Sequence, residues 1–353
     1  MRRTAEGNAY IGELARGCEL CMRGAKLVLF VSGRCGEGCY YCPLSEKRRG
    51  SDRTWVNEKL VRSDADVVEE ALRMRALGAG ITGGDPALEL ERTLHYLALL
   101  KSEFGEEFHI HMYTATCLRR DELMRLRSAG LDELRFHITE KNCKKVWHSI
   151  EAAKLAGLEV GVEIPAFPGR EDEIVEIALR VSELGGFLNL NELEFSDTNA
   201  EALKSMGFSL RGDSCAVAGS REAALKAMER LEEEGAKARV HLCTSRYKDA
   251  GQLRLRLLRT ALANAKPYEE VTEEGLLLKG VVYSDEELVK LRLRLMREFQ
   301  IPPHLIAVDP QKGRIETTRE IARELAKYLR KARVYIVEEY PTADRLETEV
   351  VPL

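Results

Sequence analysis

Short apolar runs alternate with amphipathic stretches along the first two-thirds of the chain. Lys26-Leu27-Val28-Leu29-Phe30-Val31 reads as a buried strand and leads into a cysteine-bearing loop over 32–45. Residues 46–62 are polar, basic at Lys47, Arg48 and Arg49, and read as loop. Ser63-x-x-Asp66 then has the form of a capping box, and Val67, Val68, Ala71, Leu72 and Leu77 make an apolar stripe at helical spacing. Further strands are predicted at 80–82, 109–114, 133–138, 158–164, 188–195 and 239–243, with helices at about 88–104, 120–128, 144–156, 172–184 and 220–234. Repeated strand–helix units predict a parallel sheet with helices outside it. Six or so units are too few for a closed eight-fold barrel. The expected fold is therefore α/β, an open partial barrel of (β/α)6 type.

The pattern changes after about Lys248. A basic amphipathic helix is predicted at 252–264, a strand at 276–283, and a helix opened by Ser284-x-x-Glu287. A hairpin turn falls at Asp309-Pro310-Gln311-Lys312-Gly313, Thr317-x-x-Glu320 opens another helix, and 334–339 and 347–351 read as closing strands. This is the pattern of a small α+β domain. The expected layout is a lead-in over 1–25, the partial barrel over 26–245 and the α+β domain over 246–353.

Length and charge narrow the class. The 353 residues, 44% of them hydrophobic, suffice for about two domains with a sizeable core. A net charge of −4 exerts no global pull on nucleic acid or anionic membrane. No apolar run reaches 18 residues, and the first 20 residues lack the apolar core of a signal peptide, so no membrane partner and a cytoplasmic location are expected. Nine cysteines, five of them between 18 and 42, then point to metal ligation rather than disulfides.

Residues 35–42 read Cys-Gly-Glu-Gly-Cys-Tyr-Tyr-Cys, a C-x3-C-x2-C spacing. Soft thiolates select iron–sulfur clusters, zinc or Cu(I). A [4Fe–4S] cluster is fully ligated by four cysteines, so three leave one iron open, whereas a structural zinc knot has no open position. The motif follows the first strand of a strand–helix series and carries Tyr41 directly before its last cysteine. In that setting it resembles the radical S-adenosylmethionine (SAM) superfamily. The text from Gly17-Cys18-Glu19-Leu20-Cys21 to Cys42-Pro43 further resembles an archaeal-type group related to pyruvate formate-lyase activating enzyme. The resemblance is strong over about 18–245.

The resemblance implies an enzyme in which Cys35, Cys39 and Cys42 hold a [4Fe–4S] cluster whose open iron is chelated by SAM. Reductive cleavage would then give a 5′-deoxyadenosyl radical for hydrogen abstraction. It implies an electron donor of flavodoxin or ferredoxin type. Gly36 and Gly38 would give the loop freedom to wrap a cluster, and Tyr41 would lie near the adenine. Ile81-Thr82-Gly83-Gly84-Asp85-Pro86 matches the family's Gly-Gly-Glu segment with Asp in place of Glu, so Gly83, Gly84 and Asp85 would meet the methionine end of SAM through backbone groups. Gly161-Val162-Glu163-Ile164-Pro165 resembles the segment flanking adenine and ribose, which brings in Glu163.

Other candidates rest on strand alternation. Asn191 or Glu192, with Glu194, are placed to point inward, which suggests a lined cavity; an edge strand with one wet face is the alternative. His137, on one side of its strand with Arg135 and Thr139, is a candidate for SAM ribose or substrate contact or for a local hydrogen bond, and His109 and His111 share that ambiguity. Cys18-x2-Cys21 and His241-x-Cys243 together would make a Cys3His set for zinc or a second [4Fe–4S] cluster, if the barrel brings its first and last elements together. Otherwise Cys18 and Cys21 are unligated or redox-active and Cys243 is core. Cys117, Cys143 and Cys215 read as small hydrophobes.

Lys248, Gln252, Arg256 and Arg259 fall at helical spacing, with Leu253, Leu257 and Leu258 on the inner side. Such a face either grips RNA phosphates or is solvated and balanced by Glu269, Glu270, Glu273 and Glu274. The substrate is thus a protein or peptide, which the resemblance favours slightly, or tRNA or another RNA, or a small metabolite. A non-catalytic iron–sulfur or zinc scaffold is the alternative outside enzymes.

Overall fold

Alternation of apolar and polar residues in the strands sets up a sheet with two different faces. The computed structural model describes residues 1–5, 7–212 and 214–353. It divides into two compact units, 1–72 with 76–253, and 73–75 with 254–353. In the first unit seven parallel strands follow one another in chain order: Lys26–Phe30, Gly78–Thr82, His109–Thr114, Glu133–Phe136, Glu159–Ala166, Phe187–Glu192 and Val240–Cys243. Six helical crossovers join them, as a partial (β/α)6-type barrel requires. Ile110, Met112, Leu134, Phe136, Val160, Val162, Leu188 and Leu190 are fully buried and alternate with polar residues on the other face, including His109, His111, Arg135, Glu163, Asn189 and Asn191.

Both edges of this sheet are covered. Ala9–Ile11 pairs antiparallel with the last barrel strand, and the stretch read as loop over 46–62 contains a small hairpin, Trp55–Val56 with Lys59–Leu60, paired to the first. Strands of two or three residues are too short to show alternation, which is why the sequence pattern missed them. Asn57, at φ 49°, supplies the hairpin's left-handed turn residue.

One capping box is present in part and two differ. Asp66 accepts from the backbone N–H of Arg62 and Ser63. Thr318, rather than Thr317, caps the helix Arg319–Tyr328 by accepting from Ile321. Glu287 precedes the helix Leu288–Glu298 without a side-chain cap bond.

The second unit is an antiparallel sheet of Ile306–Asp309, Arg314–Thr317, Leu277–Tyr283, Arg333–Glu339 and Glu347–Pro352, with the short Glu270–Val271 on its flank. On one face, Val282 and Ile315 pack with Leu291, Leu295, Ala322 and Leu325 of the two helices. Gly280 is required there, because a Cβ would lie 2.2 Å from the Ala322 methyl. Lys279 points to the opposite face and is fully buried. Its Nζ lies 2.7 Å from Glu269, 3.1 Å from Glu316 and 2.6 Å from Glu339. Arg314 and Arg345 each bridge Glu316 and Glu339 as well. Burial pushes the Glu316 and Glu339 carboxyls up, but these cations outweigh it and hold both below their ordinary value.

The native state therefore binds fewer protons at these sites than the unfolded chain. Their contribution is complete above the ordinary carboxylate pKa and disappears as pH falls through the depressed values. Lys279→Met removes the cation of buried Glu269 and one of three shared by Glu316 and Glu339, and is expected to cost about 3–5 kcal/mol at neutral pH. Denaturant titration at pH 7 and near pH 4 (about the carboxylate range) is expected to show a smaller loss at the lower pH, where those carboxyls are protonated in the variant. An equal loss at both pH values would remove the network from the account.

Candidate active site

The cysteine loop leaves the first barrel strand at its C-terminal end, the end where barrel ligands sit. Its backbone lies directly on the turn after the second strand. Gly84 N–H donates to the Ser32 carbonyl at 2.7 Å and Asp85 N–H to the Arg34 carbonyl at 2.7 Å. A Cβ on Gly83 would stand 2.4 Å from Ser32 O, and one on Gly84 2.2 Å from Arg34 O, so only glycine permits this approach. Within the loop Gly38 takes φ +65°, while Gly36 has open space around it and needs no special conformation. The far end is fastened by Asn199, whose Nδ2 donates to Tyr41 O at 3.0 Å, and by Thr198 Oγ1, which donates to Cys42 O at 3.3 Å.

Cys35, Cys39 and Cys42 face one cavity of about 330 Å³, whose wall includes Gly83, Gly84 and the inward residues of several strands. Cys35 is exposed and the other two are half-buried. At least one pair among these sulfurs lies beyond 4.8 Å, wider than the roughly 3.8 Å edge that tetrahedral Zn–S bonds of about 2.3 Å demand. Three thiols on an open loop, not all at single-ion spacing, fit a cluster with one free corner. Burial, with Cys35 and Cys42 nearby, pushes the Cys39 thiol up, so a cationic centre is needed to hold it as the thiolate that ligation requires.

Tyr41 lines this cavity, its ring edge-on to Phe167 at 5.1 Å. Burial keeps its hydroxyl protonated. His137 Nδ1 is 2.8 Å from the Glu163 carbonyl, which only accepts, so Nδ1 carries the proton and Nε2 accepts from Tyr41 Oη at 2.8 Å. The local hydrogen bond, one of two readings of His137, is the observed one. Glu163 is held by Arg135 Nη1 at 2.8 Å and Asn191 Nδ2 at 2.8 Å, and Glu194 by Lys248 Nζ at 2.6 Å. Both carboxylates reach the cavity wall already paired.

The Asp85 side chain acts within the fold. It is 2% exposed, and its carboxylate accepts from Ala87 N, Thr114 Oγ1, Ala115 N, Thr116 N and Thr116 Oγ1 at 2.8–3.0 Å. Its N–H is on Arg34, and its carbonyl, which accepts from Leu88, keeps one further lone pair. It positions the turn.

The basic helix is corrected. Residues 248–253 form a π-helical stretch before the helix Arg254–Asn264, and the wider turn rotates Lys248 and Gln252 into the barrel wall. Arg259 donates to the carbonyls of Met74 and Arg75. The proposed stripe is therefore not a continuous phosphate-facing surface.

The first and last elements of the barrel do come together. Cys18, Cys21, His241 and Cys243 open onto a second cavity of about 120 Å³. Burial raises the Cys18 thiol to about 12 and lowers His241 to about 3. His109 instead belongs to a group with Glu133 and Glu159, and Lys26 Nζ lies 3.0 Å from its Nδ1. Asn189, Asn191, Arg135, Lys248 and Asn199 were missed or left undecided as site residues. Alternation was a usable signal for the first two, whereas nothing local marks a residue that anchors a distant loop.

Comparison with known proteins supplies the wider setting. The Radical SAM superfamily model matches residues 29–181, and a model described as a domain of unknown function (DUF8061) matches 275–353. A protein of Methanocaldococcus jannaschii, provisionally named as a glycyl-radical enzyme activating enzyme, is 38% identical over 362 residues, 97% of this chain and 93% of its own. Among solved structures, SuiB of Streptococcus suis bound to S-adenosylmethionine is 12% identical at a TM-score of 0.44, over 70% of this chain and 53% of SuiB. The chain thus spans about half the length of SuiB. Native anSMEcpe with bound AdoMet and the Kp18Cys peptide is 14% identical at 0.42, over 71% and 72%. Among the described residues no helix is long and apolar enough to cross a membrane.

The loop-on-turn contact separates two glycines that look equivalent in sequence. Gly84→Ala is expected to cost about 1–3 kcal/mol by overpacking and to lower the iron retained after anaerobic reconstitution. Gly36→Ala is expected to stay within about 0.5 kcal/mol of the parent with iron unchanged. Denaturant unfolding and iron analysis check both, and equal behaviour of the two variants would refute the contact's role.

Proposed function

The chain belongs to the radical SAM superfamily, and on that basis we propose that Cys35, Cys39 and Cys42 hold a [4Fe–4S] cluster at which SAM is cleaved for hydrogen abstraction from a protein or peptide. The observation that carries this reading is the convergence of the three thiols and the Gly83–Gly84 turn on one cavity at the C-terminal ends of the strands. When bound and reduced by a flavodoxin- or ferredoxin-type donor, cluster and SAM together supply a 5′-deoxyadenosyl radical, chemistry that belongs to the cofactor.

The chain's own residues bind, orient and enclose. Gly83 and Gly84 let backbone groups come close to the methionine end of SAM. Tyr41, held by His137, forms a neutral aromatic wall on the adenine side. Glu163 and Glu194 bring acceptors to the rim while Arg135, Asn191 and Lys248 fix their positions. Polar groups pre-paired in this way need no rearrangement when a charged ligand arrives.

A protein or peptide substrate is favoured by the 38% identity to a protein named for activating a glycyl-radical enzyme. The RNA alternative rested on a basic helical face, two of whose members, Lys248 and Gln252, line the barrel interior. Anaerobically reconstituted protein, given dithionite and SAM, is expected to release 5′-deoxyadenosine measurable by mass spectrometry, with Cys39→Ala at background. Glycine-centred peptides deuterated at Cα are expected to speed its formation and pass deuterium into it, while RNA oligonucleotides are not. Absence of 5′-deoxyadenosine sinks the reading altogether; stimulation by RNA alone sinks the choice of substrate.

A further inference from the structure

The second cavity lies inside the barrel and has a donor set of its own. Cys18 and Cys21 stand one helical turn apart on Arg16–Met22, and His241 and Cys243 lie two residues apart on the last barrel strand, so each pair shares one face. The register sets Asn189 beside His241 and Asn191 beside Cys243. His241 Nδ1 is 2.6 Å from Asn189 Oδ1. An amide oxygen only accepts, so Nδ1 holds the proton and Nε2 presents a lone pair. That Nε2 is buried with no hydrogen-bond partner, in a residue 5% exposed that lines the cavity. Ligating histidines are oriented in just this way, by a partner on the far nitrogen.

The sulfurs are equally prepared. Arg135 Nη2 lies 3.3 Å from Cys18 Sγ, and Gln252 Nε2 lies 3.5 Å from Cys243 Sγ. N–H groups aimed at sulfur are one way proteins tune iron–sulfur centres. Spacing and room both favour several atoms over one ion. Every trio of the four donor atoms has at least one pair beyond 4.8 Å, so the side chains are not already gathered to the roughly 3.8 Å of a tetrahedral ion. The space of about 120 Å³ is also many times the roughly 10–15 Å³ that a single water requires.

We propose that Cys18, Cys21, Cys243 and His241 ligate a second iron–sulfur cluster inside the barrel. The site uses none of the three cysteines of the upper loop, so it stands or falls separately from the reading above. Tyr113, Glu163, Asn191 and Lys248 line both cavities, and the second centre adjoins the SAM side through them. Arg135 and Lys248 provide positive charge beside an anionic centre.

The test is anaerobic reconstitution of the full chain carrying Cys35→Ala, Cys39→Ala and Cys42→Ala, with iron, acid-labile sulfide and zinc quantified. This variant is expected to keep about half of the parent's iron and sulfide, as one of two clusters would. Adding Cys18→Ala and Cys243→Ala is expected to remove the rest. The same reading comes from the Cys18→Ala/Cys243→Ala pair in the otherwise intact chain. There iron and sulfide fall by about half, and the reduced-cluster EPR signal that shifts on adding SAM persists. His241→Cys is expected to keep the iron and move the EPR signal of the second cluster. A folded triple variant without iron, full iron in the double variant, or zinc as the only metal at the second site would each overturn the proposal.

Discussion

Contact between two stretches of bare backbone organises the upper pocket. Residues 32–34 and the Gly83–Gly84 turn lie closer than any side chain would allow, and the hydrogen bonds between them tie the cysteine loop to the sheet. Asp85 sits behind that contact, gathering donors from the turn and from the end of the third strand. Buried carboxylates are costly unless fully hydrogen-bonded. This one is, and in exchange it makes three chain segments behave as one rigid rim. A loop that must present three thiols in a fixed geometry needs such an anchor, because loops are otherwise the mobile part of a barrel.

Below the rim the barrel interior is unusually polar. Arg135 is central, reaching Glu133, Glu163 and Cys18. Each neighbour offsets part of the cost of burying the others, so the network specifies inward orientations that an apolar filling would leave free. Its members line two cavities in succession, one open towards the cysteine loop and one enclosed by the N-terminal helix and the last strand. The second unit uses a comparable device for another purpose: the Lys279 cage ties together the strands of its own sheet.

Much of this was legible in the order of residues. The seven parallel strands, the helices between them, the cysteine loop and the change of pattern near Lys248 follow from periodicity and spacing, which are local properties. The inward polar face of Asn189 and Asn191 was visible as alternation, although alternation alone leaves open whether a strand is wet at an edge or lines an interior.

What the tertiary structure alone decided concerns contacts distant in sequence. The Asp85 carboxylate proves to be a clamp, because its five donors come from segments up to 31 positions away. Lys248 and Gln252 read as a solvated basic face and turn inward, because a π-helical stretch alters the rotation that ordinary helical spacing assumes. Cys18 and Cys21 lie more than 200 positions from His241 and Cys243, and only the curvature of the sheet sets the two pairs around one cavity. The chain order encodes which way each side chain points along its own element; which of them meet is settled by how the elements close.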